Sequence, residues 1–435
     1  MLICLAALVQ VFCSLAVLPQ AQLAPASQPK KGKITSIKIK GLQSYPEVQV
    51  LTVTRLHAGD FVAKEDLQAA ADHLLQLGLF STANYSFKSR GEDLDVTFDV
   101  AEASSVAVSF DNIPWYTDAE LIDAIQKSVP LFVGRAPQQG ALVDEISAAL
   151  QNYLALRNPA LSVAHDLIND PATDEPVQQF RVKGAGLTIG RIELGHALAA
   201  QSRSVQAHLA TLVGKPFSRF AISLFLSEHV RPIYLEQGHL RARFRKPEVR
   251  FSGNPAKPPE TVQVIVPIEP GPVFHWGGAR WSGNRALTAE SLDGLLALRT
   301  NELASGNSIN AALERVEDEY GRRGYIDAKL PSNIHFDDSK AIVRYDITVS
   351  EGPQYHMGEM VITGLSLAAE RRLRAGWPIP PGTVFDRTKY EALLMDLQKQ
   401  HSEFFGELPV HYDEVGHWLR PDPARATVDV LLDFK

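Results

Sequence analysis

The chain has 435 residues, 45% of them hydrophobic and 21% charged, with a formal net charge of -7 and a pI near 6.0. That composition excludes disordered and collagen-like chains, and the acidic balance leaves no chain-wide electrostatic footprint for nucleic acid. Both cysteines, Cys4 and Cys13, lie in the first apolar run, which excludes a disulfide framework, a thiolate nucleophile and a Cys-ligated zinc.

The apolar run Leu2 to Leu18 is followed by Pro19-Gln20 and by small residues including Ala24-Pro25-Ala26, ahead of the polar Ser27-Gln28-Pro29-Lys30-Lys31. This shape predicts a secretory signal peptide over residues 1–26, although no Lys or Arg precedes the apolar run. The competing reading is an uncleaved anchor, because about seventeen apolar residues just span a bilayer. A body without cysteine suits an oxidising compartment.

From Lys33 onward one unit recurs about every eighty residues, and such a period outranks any single-site reading. In the first copy Ile34, Ile37 and Ile39 mark a strand ending at Gly41-Leu42. Pro46 to Thr54 and Lys64 to Leu77 read as helices, Gly78-Leu79-Phe80 stops the second, and Ala83 to Lys88 and Leu94 to Val100 read as closing strands. The last strand alternates Leu94, Val96, Phe98 and Val100 with polar residues, so one face is buried, and the stripe Leu67, Ala70, Leu74 and Leu77 covers it.

The second copy begins with Val106, Val108 and Phe110, continues with a helix from its Thr117 cap to Ser128, and has a second helix from Gly140 to Leu156. Arg157-Asn158-Pro159-Ala160-Leu161 stands where a Gly-aromatic pair is expected. The third has Ile189, Ile192 and Leu194 in its first strand and Gly214-Lys215-Pro216-Phe217 between its helices. Its second strand opens at Gly238-His239-Leu240, and Gly253 to Pro259 reads as a long hairpin loop before Thr261 to Ile268.

In the fourth copy a strand from Phe274 to Trp281 ends in Ser282-Gly283-Asn284, and helical patterns run from Thr288 to Leu298 and onward from Gly306, with Ser308 placed as N-cap. Gly324 sits where that second helix stops, followed by strands Ala328 to His335 and Ala341 to Val349 and by Glu351-Gly352-Pro353. The fifth copy has Met357, Met360, Val361 and Ile362 before Gly364-Leu365, then Gly382-Thr383-Val384-Phe385, a helix from Arg387 to His401 and a last strand from Thr427 to Phe434.

The order strand, helix, helix, strand, strand, with Gly283-Asn284 after the first strand, Gly324-Tyr325-Ile326 after the second helix and Glu351-Gly352-Pro353 at the close, resembles a POTRA (polypeptide-transport-associated) domain. The resemblance implies an α+β protein of tandem βααββ modules, each a three-stranded mixed sheet covered by two helices on one face, arranged as an elongated string. The modules are expected at 33–102, 103–184, 185–272, 273–353 and 354–435. In BamA-type factors such a string leads into a membrane β-barrel. Here the sequence stops one residue after the last strand, and its N-terminal Met with a signal-like segment favours a barrel-less relative over a piece of a longer protein.

The resemblance further implies a non-enzymatic scaffold of the periplasm or outer membrane, acting in outer-membrane protein assembly or polypeptide transport. Its partners would be extended segments of client polypeptides or assembly proteins, added as strands to sheet edges, with peripheral membrane contact possible. The alternative is an inner-membrane-anchored envelope or division-type protein using the modules as a spacer. Strand addition and charge protection of an edge use the same residues, so both readings of the edges stand.

The candidate peptide-binding strip is Arg241, Arg243, Phe244 and Arg245, where period two puts three guanidiniums on one face of the predicted second strand. Structural turns are expected at Gly41, Gly78, Gly238, Gly283 and Gly324. The thirteen histidines are scattered with no His-Glu-x-x-His spacing, Gly277-Gly278 is followed by no Lys-Ser/Thr, and no Gly-x-Ser-x-Gly occurs. No catalytic residue, metal, cofactor, small-molecule substrate or nucleic-acid partner is therefore assigned. Trp276 and Trp281 are read as core and inter-domain packing.

Overall fold

The structure is a computed structural model that describes residues 31–252, 260–399, 403–406, 408 and 410–435. The signal or anchor segment, both cysteines, the 253–259 loop and His401 lie outside the described residues. The chain divides into two compact units. Unit one holds the described residues up to 110, with 115–168 and 176–183; unit two holds 111–114, 169–175 and everything from Gly184.

In unit one, the first module comprises β1 (Gly32–Lys40), α1 (Glu47–Thr54), β2 (Phe61–Val62), α2 (Lys64–Gln76), β3 (Phe80–Arg90) and β4 (Asp93–Glu102), with sheet order β2-β1-β4-β3. β1 runs parallel to β4, and β3 runs antiparallel to it. The core is the predicted one: Val96, Phe98 and Val100 of β4 lie with Leu67, Ala70 and Leu74 of α2 in the set of buried residues. The second module repeats the order with β5 (Ser105–Phe110), α3 (Asp118–Ser128), β6 (Arg135–Pro137), α4 (Ala141–Ala155), β7 (Ser162–Asn169) and β8 (Pro176–Lys183). Thr117 caps α3, its hydroxyl accepting from Glu120 N while the Glu120 carboxylate reaches back to Thr117 N, a reciprocal capping box.

Unit two opens with β9 (Leu187–Leu194), α5 (Ala197–Ala200), α6 (Arg203–Leu212), α7 (Arg219–Phe225), α8 (Arg231–Glu236), β10 (Arg243–Phe244), β11 (Glu248–Ser252), β12 (Glu260–Val266) and β13 (Ile268–Glu269). A π-turn over Leu226–Val230 joins α7 to α8. Pro232, which has no N–H to give to the preceding turn, stands in the first turn of α8, two residues after the π-turn.

The fourth module comprises β14 (His275–Ser282), α9 (Ala289–Leu296), α10 (Gly306–Arg322), β15 (Ser332–Asp337) and β16 (Ile342–Thr348). Ser305, not Ser308, is the N-cap of α10, because its hydroxyl is the group that accepts from the orphan N–H of Ser308. Ile309, Ala312, Val316 and Tyr320, spaced by three and four, put one stripe of α10 on Val343, Tyr345 and Ile347 of β16. Fully burying each large side chain of that stripe stabilises the module by roughly 1.5–3 kcal/mol. The fifth module comprises β17 (His356–Thr363), α11 (Leu367–Ala375), α12 (Arg387–Leu397), β18 (Val415–Asp422) and β19 (Thr427–Phe434), and its helices share one core with β19.

One feature was not read from the sequence. In every module the segment between the two helices lies antiparallel on the first strand, as the short strands β2 and β6 in modules one and two. In the others it is a single bridge, Thr188 to Pro216, His275 to Leu303 and His356 to Val384. Two or three paired residues leave no periodicity to detect. The first strand is also irregular against its parallel partner in four modules, at Ile34/Ser36, Ile189/Arg191, Trp276/Ala279 and Met357/Met360.

Candidate strand-pairing edges

The first strand is covered by a short strand in modules one and two and touched by a single bridge in the others, whereas the second strand, β3, β7, β11, β15 or β18, is an outer strand in every main sheet. Four of these carry the devices that discourage pairing. β7 contains Asp166, bound to Arg181 at 2.7 Å. β11 holds Glu248 and Arg250 just after Pro247, β15 follows Pro331 and pairs His335 with Asp346 at 3.0 Å, and β18 contains Pro421 between Arg420 and Asp422. β3 differs. It is 11 residues long, its charges, Lys88 and Arg90, lie at the turn end, and the eight residues from Phe80 to Phe87 have neither a proline nor a charge.

The register of β3 on β4 sets which way its side chains point. Tyr85 lies opposite Phe98 and Phe87 opposite Val96, both buried, so Tyr85 and Phe87 stand on the helix side at the rim of the core. Phe87 remains 37% exposed. Asn84, Ser86 and Lys88 face the other way, opposite Asp99, Thr97 and Asp95. A strand laid along this edge would meet aromatic surface on one face and polar groups on the other.

A glutamate at the end of the last strand holds the loop after the first. The Glu102 carboxylate accepts from Gln43 N and Ser44 N at 2.6 and 2.8 Å, and Glu351 accepts from Arg285 N and Ala286 N at 2.7 and 2.8 Å. Burial alone would raise the Glu102 pKa, but hydrogen bonds from the backbone of Gln43, Ser44 and Tyr45 and from the Ser44 hydroxyl outweigh it and hold the carboxyl below its ordinary range. Tyr320, fully buried, donates to the same Glu351 oxygen at 3.2 Å, and burial first, then that carboxylate, pushes its hydroxyl pKa well up. The Glu-Gly-Pro punctuation seen in the sequence is thus a clasp.

The arginine strip is not in the second strand of the third module's sheet. Only Arg243 and Phe244 are extended, as β10 against β13, while the open edge of that sheet is β11. Arg241 lies in the turn after Gly238, pairs with Asp338 at 2.8 Å and stands over the rings of Phe274 and Phe336 at 5.9 and 5.2 Å. Arg245 forks onto Glu269 at 2.9 and 3.0 Å, a hydrogen bond that raises the arginine pKa and lowers that of the carboxylate. Phe244 packs edge-on against buried Tyr234. Arg243 is exposed. Alternation of Arg with Ala and Phe mimics a strand period, but a turn and two ion pairs take the arginines in different directions.

All five expected turn glycines have positive φ: Gly41 92°, Gly78 80°, Gly238 76°, Gly283 76° and Gly324 82°. At Gly238 and Gly324 a close approach adds to the conformational need. A Cβ on Gly324 would stand 2.6 Å from the Tyr355 carbonyl oxygen, and one on Gly238 2.8 Å from Leu303 and 3.0 Å from the Phe274 carbonyl oxygen. Each glycine ends a second helix, and its own carbonyl accepts from the next module, from Phe274 N at 3.0 Å and Tyr355 N at 2.8 Å. Buried Trp276 belongs to the fourth core, against which Trp281 is partly packed, its indole N–H donating to Asp293 at 2.8 Å.

Among the described residues no three His, Cys, Asp or Glu side chains converge, and no helix is long and apolar enough to cross a membrane.

Residues 32–103 and 274–352 match the family model described as POTRA, surface antigen variable number repeat. A protein of Treponema pallidum (strain Nichols), named as a candidate outer membrane protein assembly factor, is 21% identical over 206 residues, 47% of this chain. The match covers 24% of that relative, so the chain spans about a quarter of its length. Among solved structures, Haemophilus influenzae BamA POTRA3-5 is 21% identical, with 57% of this chain and 96% of that one covered and a TM-score of 0.44. The N-terminal domain of Omp85 from Thermosynechococcus elongatus is 11% identical, with 74% and 99% covered and a TM-score of 0.19. The family match thus falls on two stretches, which fold as the first and fourth modules.

Proposed function

We propose that this chain is a non-enzymatic scaffold of outer-membrane protein assembly, located in the periplasm or at the outer membrane, that takes up extended client segments by strand addition at β3. The observation that carries the reading is the edge itself: eleven residues, of which the eight from Phe80 to Phe87 are uncharged and proline-free and only Lys88 and Arg90 at the turn end are charged, the longest of the five second strands. Backbone pairing is indifferent to guest sequence, and the two faces of β3 favour a guest that alternates apolar with polar side chains. Each cross-strand pair contributes roughly 0.2–1 kcal/mol, which gives weak, transient binding suited to a handler of many clients. Assembly proteins with an exposed extended segment are partners of the same kind.

The test is a titration of the isotope-labelled full chain with a capped eight-residue peptide of alternating valine and serine, read by amide shifts. Residues 84–90 should move first, and Phe87→Glu should weaken binding several-fold without unfolding the module. Shifts confined to α1 and α2, or to β11 and β18 alone, would sink the assignment to β3.

A further inference from the structure

The base of the β3 edge opens on a pocket. It has a volume of about 510 Å³ and lies between modules one and two, within one compact unit, lined by Leu75, Phe80, Ser81, Ser104, Gln138 and Gln139. Backbone holds its two sides together: Leu142 N donates to Leu77 O at 3.3 Å, and Gly78, at φ 80°, leaves no room for a Cβ against the Gln139 carbonyl. The pocket is therefore formed before any guest arrives.

Its lining divides into carbon and uncommitted polar groups. Leu75, near the end of α2, is 38% exposed. The side chains of Ser104, Gln138 and Gln139 make no hydrogen bond to any described residue. No Asp, Glu, Lys or Arg belongs to the lining. A charged guest group would lose water there without meeting a counter-charge, whereas an uncharged side chain with a hydrogen-bonding tip finds partners for both its carbon and its polar end.

The pocket is continuous with the edge, because Phe80 and Ser81 belong to both. The pairing of β3 with β4 is irregular between Phe80 and Thr82, which leaves Ser81 without a partner on β4. Such a bulge bends the strand and ends regular pairing. A guest laid along β3 from its turn end therefore runs off the ladder at the mouth of the pocket. The two ends of the edge also differ in charge, Lys88 and Arg90 standing at one and the uncharged pocket at the other.

We propose that this pocket is the end subsite of the β3 edge, taking one large uncharged side chain with a hydrogen-bonding tip, tyrosine or glutamine, from the guest residue that adjoins the paired stretch. The inference rests on the proposed strand addition at β3 and adds to it a direction of the guest and a side-chain preference at one position.

The experiment uses the full chain and the capped valine/serine octapeptide, alone or lengthened by one tyrosine at its N-terminal or its C-terminal end. Amide signals of residues 84–90 report pairing, and the side-chain NH₂ signals of Gln138 and Gln139 report the pocket. One of the two lengthened peptides should bind about tenfold tighter than the octapeptide, through partial burial of one aromatic side chain, and that one alone should shift the two glutamine signals. Glutamate or lysine in place of its tyrosine should give no gain. Ser104→Trp, which fills the pocket, should remove the gain and leave the octapeptide affinity unchanged. The double change Gln138→Ala with Gln139→Ala, which keeps the backbone and removes the amides, serves as the second arm and should reduce the gain. No gain at either end, an equal gain at both ends or from glutamate or lysine, or a gain that survives both variants would overturn the pocket while leaving strand addition at β3 in place. Residues 84–90 unmoved by every peptide would overturn both readings.

Discussion

The β3 edge of the first module and the 238–245 stretch of the third invite the same functional reading and come out differently. β3 has no conspicuous motif, yet its outer backbone is unobstructed and Phe87 is exposed beside it. The third-module stretch has three alternating arginines, yet Arg241 and Arg245 are bound within the chain and Gly238 is fixed against Phe274. Availability is decided by tertiary partners, and in the third module two of the three arginines are already held by Asp338 and Glu269.

That contrast predicts where damage falls. The largest effect is expected at the joint: Gly238→Ala forces a side chain into φ 76° and against Leu303 and the Phe274 carbonyl, costing about 2 kcal/mol. A fall of several degrees in the melting temperature of unit two, measured by calorimetry on the full chain, checks it. Arg241→Ala should cost about 1 kcal/mol, because it removes an exposed ion pair and stacking on two phenylalanine rings together. If urea melts of Arg241→Ala overlay the wild type, the stretch is surface after all and the contrast fails.

On the other side, Phe87→Ser should shift stability by less than about 1 kcal/mol, its ring being only partly buried, while weakening guest peptides. The base of the same edge is acid-sensitive. Phe80 of β3 faces Glu102, whose carboxyl pKa is lowered in the folded chain. Its contribution is complete above the ordinary glutamate range, near pH 4.3, and is lost as pH falls through the lowered folded value. Glu102→Gln should therefore flatten the acid limb of unit-one stability measured by circular dichroism. The smallest effect is expected for Arg243→Ala, an exposed side chain whose replacement should leave melting and peptide affinity within error.

The sequence carried the module order well because its punctuation has physical causes. Gly78, Gly238 and Gly324 are left-handed residues just past second helices, and the alternation of Leu94, Val96, Phe98 and Val100 is the buried face of β4. The site was far less legible. Nothing in Phe80 to Arg90 distinguishes an edge from an interior strand until sheet order is known. The Arg241 to Arg245 alternation misled because period two was present without the pairing that gives it meaning.

The carbonyls of Gly238 and Gly324 have a consequence for biosynthesis. Each is the last group of a helix end, and each receives its proton donor from a residue that opens the following module, Phe274 or Tyr355. The helix ends themselves close locally, α8 through His239 N to Tyr234 O at 2.9 Å and α10 through Tyr325 N to Tyr320 O at 3.0 Å. A nascent chain halted at Pro353 would therefore hold a closed α10 and lack only the Gly324-to-Tyr355 tie to the fifth module.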